Sequence, residues 1–300
     1  MVFIYMNGGI GNLLFKYAAG LGLAARLNVP LKLDKSYYHE QHYAGDKLND
    51  FFDIPYFANI LENIFNISAN ESTESELAYF RHSLSRKVLE RLKPYYKRRI
   101  FREQGFSYDP NFFKANPNVL IKGNWQSEKY FNHITPLLKK ELTFKKPIQE
   151  KNKLFVDQIN QGISVSLHIR RGDYLNHPVS KKVLGALPIG YYQNSVKHLQ
   201  ATTNGKIQLY IFSDDIMWVK SNLHLTADTI FIDESFNLTD ADEMYLMSQC
   251  KHNIIANSSF SWWGAWLNNN PGKIVIAPKN WFNQGPKDTQ DLLPEEWIKI

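Results

Sequence analysis

Cysteine is almost missing from this 300-residue chain. Cys250 stands alone, so no disulfide framework can form within the chain, and a small buried apolar residue in a reducing compartment is the expectation. No run approaches the ~18 consecutive apolar residues of a membrane-crossing helix. Met1 to Met6 have no basic lead-in or cleavage signal, so the expected setting is the cytoplasm, at most peripheral to the inner face of the membrane. Low-complexity tracts and internal repeats are absent too, which excludes solenoids and arrays. What is there excludes disorder: 44% of residues are hydrophobic, 14% aromatic and 21% charged. A chain of this length buries enough surface to fold on its core without a metal or disulfide staple.

The formal charge of +6 is unevenly spread. Residues 81–102 hold nine Lys/Arg (Arg81, Arg86, Lys87, Arg91, Lys93, Lys97, Arg98, Arg99 and Arg102) against one acid, Glu90, a local charge of +8 that leaves the remainder slightly acidic. The basicity is one patch and not a coat for nucleic acid. Leu77, Phe80, Leu84, Val88 and Leu92 recur at helical spacing, which predicts one helix ended by Pro94. Its apolar row is expected to lie over the protein's own core with the cations in solvent. An anionic membrane surface, or an anionic lipid-linked acceptor, is the other occupant that suits such a row.

The chain opens on a β-rich run, Val2 to Met6, then Asn7-Gly8-Gly9-Ile10-Gly11, a helix from Asn12 to Leu27 stopped by Asn28-Val29-Pro30, and a second strand from Leu31 that ends at Asp34. This is a β-α-β unit. From Ile163 onward, five short β-prone runs (Ile163–His168, Ile207–Ser213, Thr229–Ile232, Asn253–Ala256, Ile274–Ala277) alternate with helical segments near 190–202, 214–222, 240–250 and 260–269. That cadence predicts a doubly wound parallel sheet covered on both faces. A polar, proline-marked crossing at Lys145-Lys146-Pro147 to Lys153 sets the expected boundary near 150, between domains 1–150 and 151–300.

In Ser166-Leu167-His168-Ile169-Arg170-Arg171-Gly172-Asp173-Tyr174 a buried strand runs straight into a His, two Arg and an Asp. Alternation puts Ser166, His168 and Arg170 on one face at the carboxyl end of a strand, where doubly wound sheets bind ligands. Two guanidiniums there suit a diphosphate; an ion pair between Arg171 and Asp173 is the structural alternative. Asn257-Ser258-Ser259-Phe260 follows a strand and opens a helix, whose hydroxyls and amides can bind an anion or serve only as caps. Trp262, Trp263 and Trp266 beyond it are expected to pack in the core. Asp214-Asp215 and Asp240-Ala241-Asp242-Glu243 offer paired acids, for which helix capping is favoured over metal binding. Gly9-Ile10-Gly11-Asn12-Leu13-Leu14 with Asp34 is most of a dinucleotide fingerprint, but Leu14 stands where the third glycine belongs.

Together these segments resemble the bacterial α-1,2-fucosyltransferases of glycosyltransferase family 11. The likeness is carried by Gly8 to Asn12 with Phe15-Lys16-Tyr17-Ala18, by Gly123 to Phe131, by His168 to Tyr174, by Phe212 to Asp215, and by Ile255 to Leu267; residues 40–120 match little, and Leu13-Leu14 replaces the family's usual Gln-Met. The resemblance implies a GT-B fold, two Rossmann-like domains facing a cleft. The first would be the acceptor side, and the second would hold GDP-fucose. It implies inverting, metal-independent transfer of fucose to O2 of a terminal β-galactoside, with no cofactor, in O-antigen or other surface polysaccharide synthesis. Arg170 would meet the β-phosphate, Arg171 and Asp173 would order the motif, and Asn257, Ser258, Ser259, Phe260 and Asp214 would complete the donor site. Asn12, with Gly9 and Gly11, would reach the donor from the first domain. Glu243 would read guanine with help from His168, since a carboxylate can accept from both N1–H and the amino group. Asp173 is a candidate base by location. The rival readings are an NAD-dependent oxidoreductase built on the glycine turn and a non-catalytic glycan-binding protein using its Trp and Tyr.

Overall fold

The computed structural model describes residues 1–40, 58–81 and 84–300. The chain forms two compact units, Met1–Thr143 with Asp288–Pro294 and Phe144–Lys287 with Glu295–Ile300. Lys145 to Lys153, expected as a polar crossing, is helical over Lys146–Lys151 and again from Lys153, with Pro147 in the first turn where its missing N–H costs nothing.

The first unit is built on strands β1 (Val2–Tyr5), β2 (Leu31–Asp34), β3 (Asn70–Glu71), β4 (Ile100–Arg102) and β5 (Val119–Lys122), in the order β3-β2-β1-β5-β4. Every pairing among them is parallel. The Ile10–Leu27 helix covers the sheet with 14 buried residues. Gly20 allows that closeness, because a Cβ there would crowd Leu31 of β2 and Ile4 of β1, while Gly22 makes room on the helix for the Tyr130 carbonyl. Asn28 ends the helix in the left-handed conformation, φ 52°, its N–H shared by the Ala24 and Ala25 carbonyls.

The second unit carries β6 (Ile163–Ile169), β7 (Ile207–Ser213), β8 (Asp228–Phe231), β9 (His252–Ile254), β10 (Val275–Ala277) and β11 (Ile298–Lys299), all parallel, in the order β11-β10-β9-β6-β7-β8. Val165, Leu167 and Ile169 point into one apolar cluster with Leu209, Ile211 and Val196. Ser164, Ser166 and His168 alternate with them and are also buried, as a sheet covered on both faces requires. From β6 the chain winds outward through β7 and β8, then returns to wind the other way through β9, β10 and β11. The order therefore reverses between β6 and β9, whereas in the first unit the chain passes from β3 to the far edge strand β4 and steps inward to β5, beside β1. Open parallel sheets bind ligands outside the carboxyl ends of strands at such reversals.

One expectation fails in the first unit. The apolar row from Leu77 to Leu92 is not one helix but two, Glu74–Ala78 and Leu84–Arg91, and only its first half reaches the core. Phe80 packs on Phe3 and Leu120 with Leu77 beside it, whereas Val88 and Leu92 are 59% and 79% exposed. Glu74 and Glu76 start the shorter helix under a Thr73 capping box, and the helix stops at Ala78, so the period is broken before the second half can follow the first inward.

Candidate active site

Arg170 is the first residue past β6, at the reversal of the second sheet. Its Nε lies 3.3 Å from Asp214 Oδ2, and about a third of its side chain is exposed. Asp214, just past β7, also accepts from the backbone N–H groups of Arg171 (2.8 Å) and Gly172 (3.0 Å). One carboxylate thus fixes both the turn leaving β6 and the direction of the arginine that begins it. Gly172 is close enough that a Cβ would sit 3.1 Å from that carboxylate.

The two arginines are held by different carboxylates. Arg171 pairs with Asp215, Nε to Oδ2 3.2 Å, and its guanidinium lies 3.5 Å above the Trp218 ring. The structure therefore gives Arg171 a partner in Asp215, on the carboxyl end of the neighbouring strand β7. Asp215 also accepts from the Trp218 N–H and caps the Ile216–Asn222 helix. Asp173 lies in the Gly172–Asn176 helix, and its side chain is outside the described residues.

Beside β6, β9 leads into Asn257-Ser258-Ser259. Ser258 caps the Ser259–Leu267 helix by accepting from Phe260 N–H, while Ser259 and Phe260 are half-buried at the helix start. Phe260 lies against the His168 ring, centroids 5.7 Å apart, so His168 is a packed residue of the strand end. Asn257 is 1% exposed, and its Nδ2 donates to the carbonyls of Leu184 (3.2 Å), Gly185 (3.1 Å) and Trp281 (3.1 Å). That amide braces the neighbouring loops. The Tyr174 hydroxyl, a group the sequence reading passed over, donates to the Asn257 carbonyl at 2.9 Å and ties the Arg motif to the Ser motif.

Asp240–Gln249 is a helix capped by Thr239 and Asp242. Asp242 is spent on that cap and on Lys151 and Asn152, so it is structural. Glu243, on the next position, lines a cavity of about 460 Å³ whose wall is largely polar, with Asp214, Asp215, Asp233 and Glu234 beside the apolar Ile216, Met217, Ile232 and Leu238. Burial and the nearby Asp240 push the Glu243 carboxyl up to about 7, against the pull of Arg170. The aliphatic walls had no local signal in the sequence, since they come from three separate elements. Among the described residues no group of three or more His, Cys, Asp or Glu is arranged to hold a metal ion.

In the first unit the glycine turn leaves β1, the central strand, between β2 and β5. Gly9 caps the long helix, its carbonyl accepting from Asn12 and Leu13, and Gly11 is buried. Gly8 takes φ +93°, and its carbonyl accepts from the Tyr38 hydroxyl. Buried Lys16, its pKa lowered to about 8 by burial, donates to the Asn7 carbonyl (2.7 Å) and side chain (2.6 Å). Gln126, past β5, donates to Asn12 Oδ1 at 2.8 Å. Glu103 accepts from the amides of Asn124 and Trp125, holding Trp125 at a left-handed φ of 53°. Asp34, which a dinucleotide site would need for a ribose, is 2% exposed and accepts from Ser36 N–H instead. Leu14 is fully buried where that fingerprint has glycine. Trp262 and Trp263 are fully buried and Trp266 is 8% exposed, so they form a core stack and not a sugar platform.

Residues 46–300 match the family model for glycosyl transferase family 11. The chain is 33% identical to an alpha-1,2-colitosyltransferase of Escherichia coli over 98% of its own length and 97% of that protein's. It is 30% identical to the O-antigen biosynthesis glycosyltransferase WbnK of Escherichia coli, covering 98% and 99%. Among solved structures it is similar to NodZ alpha-1,6-fucosyltransferase soaked with GDP-fucose, TM-score 0.52 at 14% identity, over 92% of this chain and 94% of that one. This likeness shows the fold, which is of the GT-B class.

Proposed function

Since the chain belongs to glycosyl transferase family 11 and is a glycosyltransferase, we propose that it transfers L-fucose from GDP-fucose to O2 of a terminal β-galactoside. The transfer inverts the anomeric centre, needs no metal ion, and serves surface polysaccharide synthesis of the O-antigen kind on the cytoplasmic side. The observation that carries the reading is Arg170, fixed by Asp214 at the reversal of the second sheet, in the same unit as the Ser258–Ser259 helix start and the cavity of Glu243.

In an inverting transfer the sugar turns cationic as the nucleotide leaves with growing negative charge. Preorganised donors at that leaving group lower the barrier, and removing one typically costs ~10² to 10³ in rate. Arg170 is assigned to the β-phosphate, with the hydroxyls and first amides of the Ser259–Leu267 helix completing the anion site. Glu243, when ionised, accepts from guanine N1–H and its amino group, and Ile216, Met217, Ile232 and Leu238 supply apolar surface for the base. Arg171 serves the motif indirectly through Asp215 and Trp218. Asp173 is assigned the acceptor proton on its place in the motif alone, and Asn12, held by Gln126, is assigned to sugar contact.

The test is mass spectrometry of GDP-fucose incubated with lactose, N-acetyllactosamine and lacto-N-biose in the presence of a chelator. A product one deoxyhexose heavier, linked at O2 of galactose, is expected. No product from any of the three, or product only when metal is restored, overturns the reading.

The relative named for colitose favours a second donor, a GDP-linked 3,6-dideoxy sugar that lacks the 3-hydroxyl of fucose. A site built to hydrogen-bond a hydroxyl rejects the analogue lacking it by ~10⁴ to 10⁵, whereas an apolar subsite separates the two sugars by only ~10 to 200-fold. Rates measured with the two donors side by side decide between them.

A further inference from the structure

The second half of the broken apolar row carries an inference about where the protein works. Val88, Leu89 and Leu92 are 59%, 61% and 79% exposed, on a helix end that no described element covers. Within residues 88–102 they are interleaved with six Lys/Arg and a single acid, Glu90. Glu90 is already neutralised by Lys93 at 2.6 Å and by Arg99 at 3.9 Å. Arg98 donates to the carbonyls of Lys93 and Arg91, tying the loop after the helix back onto its last turn. Arg91 and Arg102 have no carboxylate partner among the described residues, and both are exposed. Between the helix end and the edge strand β4 lies a cavity of about 450 Å³, walled by Arg91, Arg98 and Arg102 with Tyr95, Ile100 and the neutralised Glu90.

We propose that this patch docks the protein on an anionic phospholipid bilayer, with the apolar row entering the acyl boundary and the arginine-walled cavity taking a lipid phosphate. The charge is complementary to such a surface and to little else that also needs leucines. A soluble anion would satisfy the arginines but leave Val88, Leu89 and Leu92 in water, and a nucleic acid backbone would do the same. A bilayer interface satisfies both, because apolar side chains and cations are used together there. Half-buried Tyr96, with an apolar ring and a polar tip, suits the same depth, whereas the Tyr95 hydroxyl is held inside by Asp109 and Asn111.

The full chain is floated with vesicles of phosphatidylcholine alone and of phosphatidylcholine mixed with phosphatidylglycerol, at low and high salt. Binding is expected only to the mixed vesicles and is expected to weaken with salt. Each cation near the surface contributes roughly a fivefold gain in affinity, so Arg91→Ala with Arg102→Ala should lose about 25-fold. Leu92→Glu should abolish binding. All three positions are exposed, so unchanged melting temperatures confirm that these variants fold. Glycerol phosphate should fail to displace the protein. Equal binding to both vesicle types, no binding to either, variants that bind like the parent, or release by glycerol phosphate would each overturn the proposal, the last by identifying a soluble-anion pocket.

Discussion

Arg170 and Arg171 are neighbours in sequence with different fates, and substitution separates them. Arg170→Ala removes a donor whose side chain is a third exposed, so transfer should fall by ~10² or more while stability changes by about 0.5 kcal/mol or less, read by initial rates and denaturant melts. Arg171→Ala loses an ion pair and the face of Trp218, so it should lower the melting temperature measurably and reduce activity less. Glu243 sets a pH dependence. Its carboxyl titrates near 7 in the free protein and must be ionised to accept from guanine. GDP affinity should therefore be flat above that pH and fall about tenfold per unit well below it. Titration calorimetry across pH checks this, and Glu243→Gln should flatten the profile; a parent profile already flat from about pH 5 to about pH 8 would contradict the assignment. The positions of Arg170, Ser258 and Glu243 were legible because strand ends and helix starts are read locally. The partners were not: that Asp215 takes Arg171, and that Asn257 spends its amide on three carbonyls, depends on chain segments 24 to 73 residues away.

At the scale of elements, Asp214 joins the turns after β6 and β7. Asp214→Ala leaves two backbone N–H groups without their acceptor and frees Arg170, so it should cost ~1 to 3 kcal/mol of stability and most of the activity together, seen in paired melts and rates. That joint loss distinguishes it from Arg170→Ala. The strands of the second unit were legible because parallel strands buried on both faces read as short, continuous apolar runs between helices. The 77–92 row was misleading for a related reason. A period of 3.6 says which residues share a face but not whether the helix is continuous, and here one helix ends at Ala78 before another begins at Leu84. Trp262, Trp263 and Trp266 read correctly as core because their helix is apolar all round.

For the whole molecule, the two sheets share one feature: each is parallel throughout, and in each the ends of two adjacent strands, β1 with β5 and β6 with β9, carry one of the sequence's motif pairs. In the first unit these are the glycine turn and Gly123 to Ser127, bound by Asn12 and Gln126; in the second, the Arg and Ser motifs, bound by Tyr174. Strand order is a property of the complete chain, which is why the motifs were visible in the sequence and their pairing was not. If the second unit holds the nucleotide, GDP at ~100 times its dissociation constant should stabilise the protein by about 2.7 kcal/mol, with or without a chelator. The most direct test of the central claim is calorimetric titration of GDP, in chelator, into the parent protein and Arg170→Ala. The account predicts metal-free binding to the parent and a loss of ~10-fold or more in the variant, the scale of one charge-assisted contact of 1.5–3 kcal/mol. Equal affinity in the two proteins would contradict it.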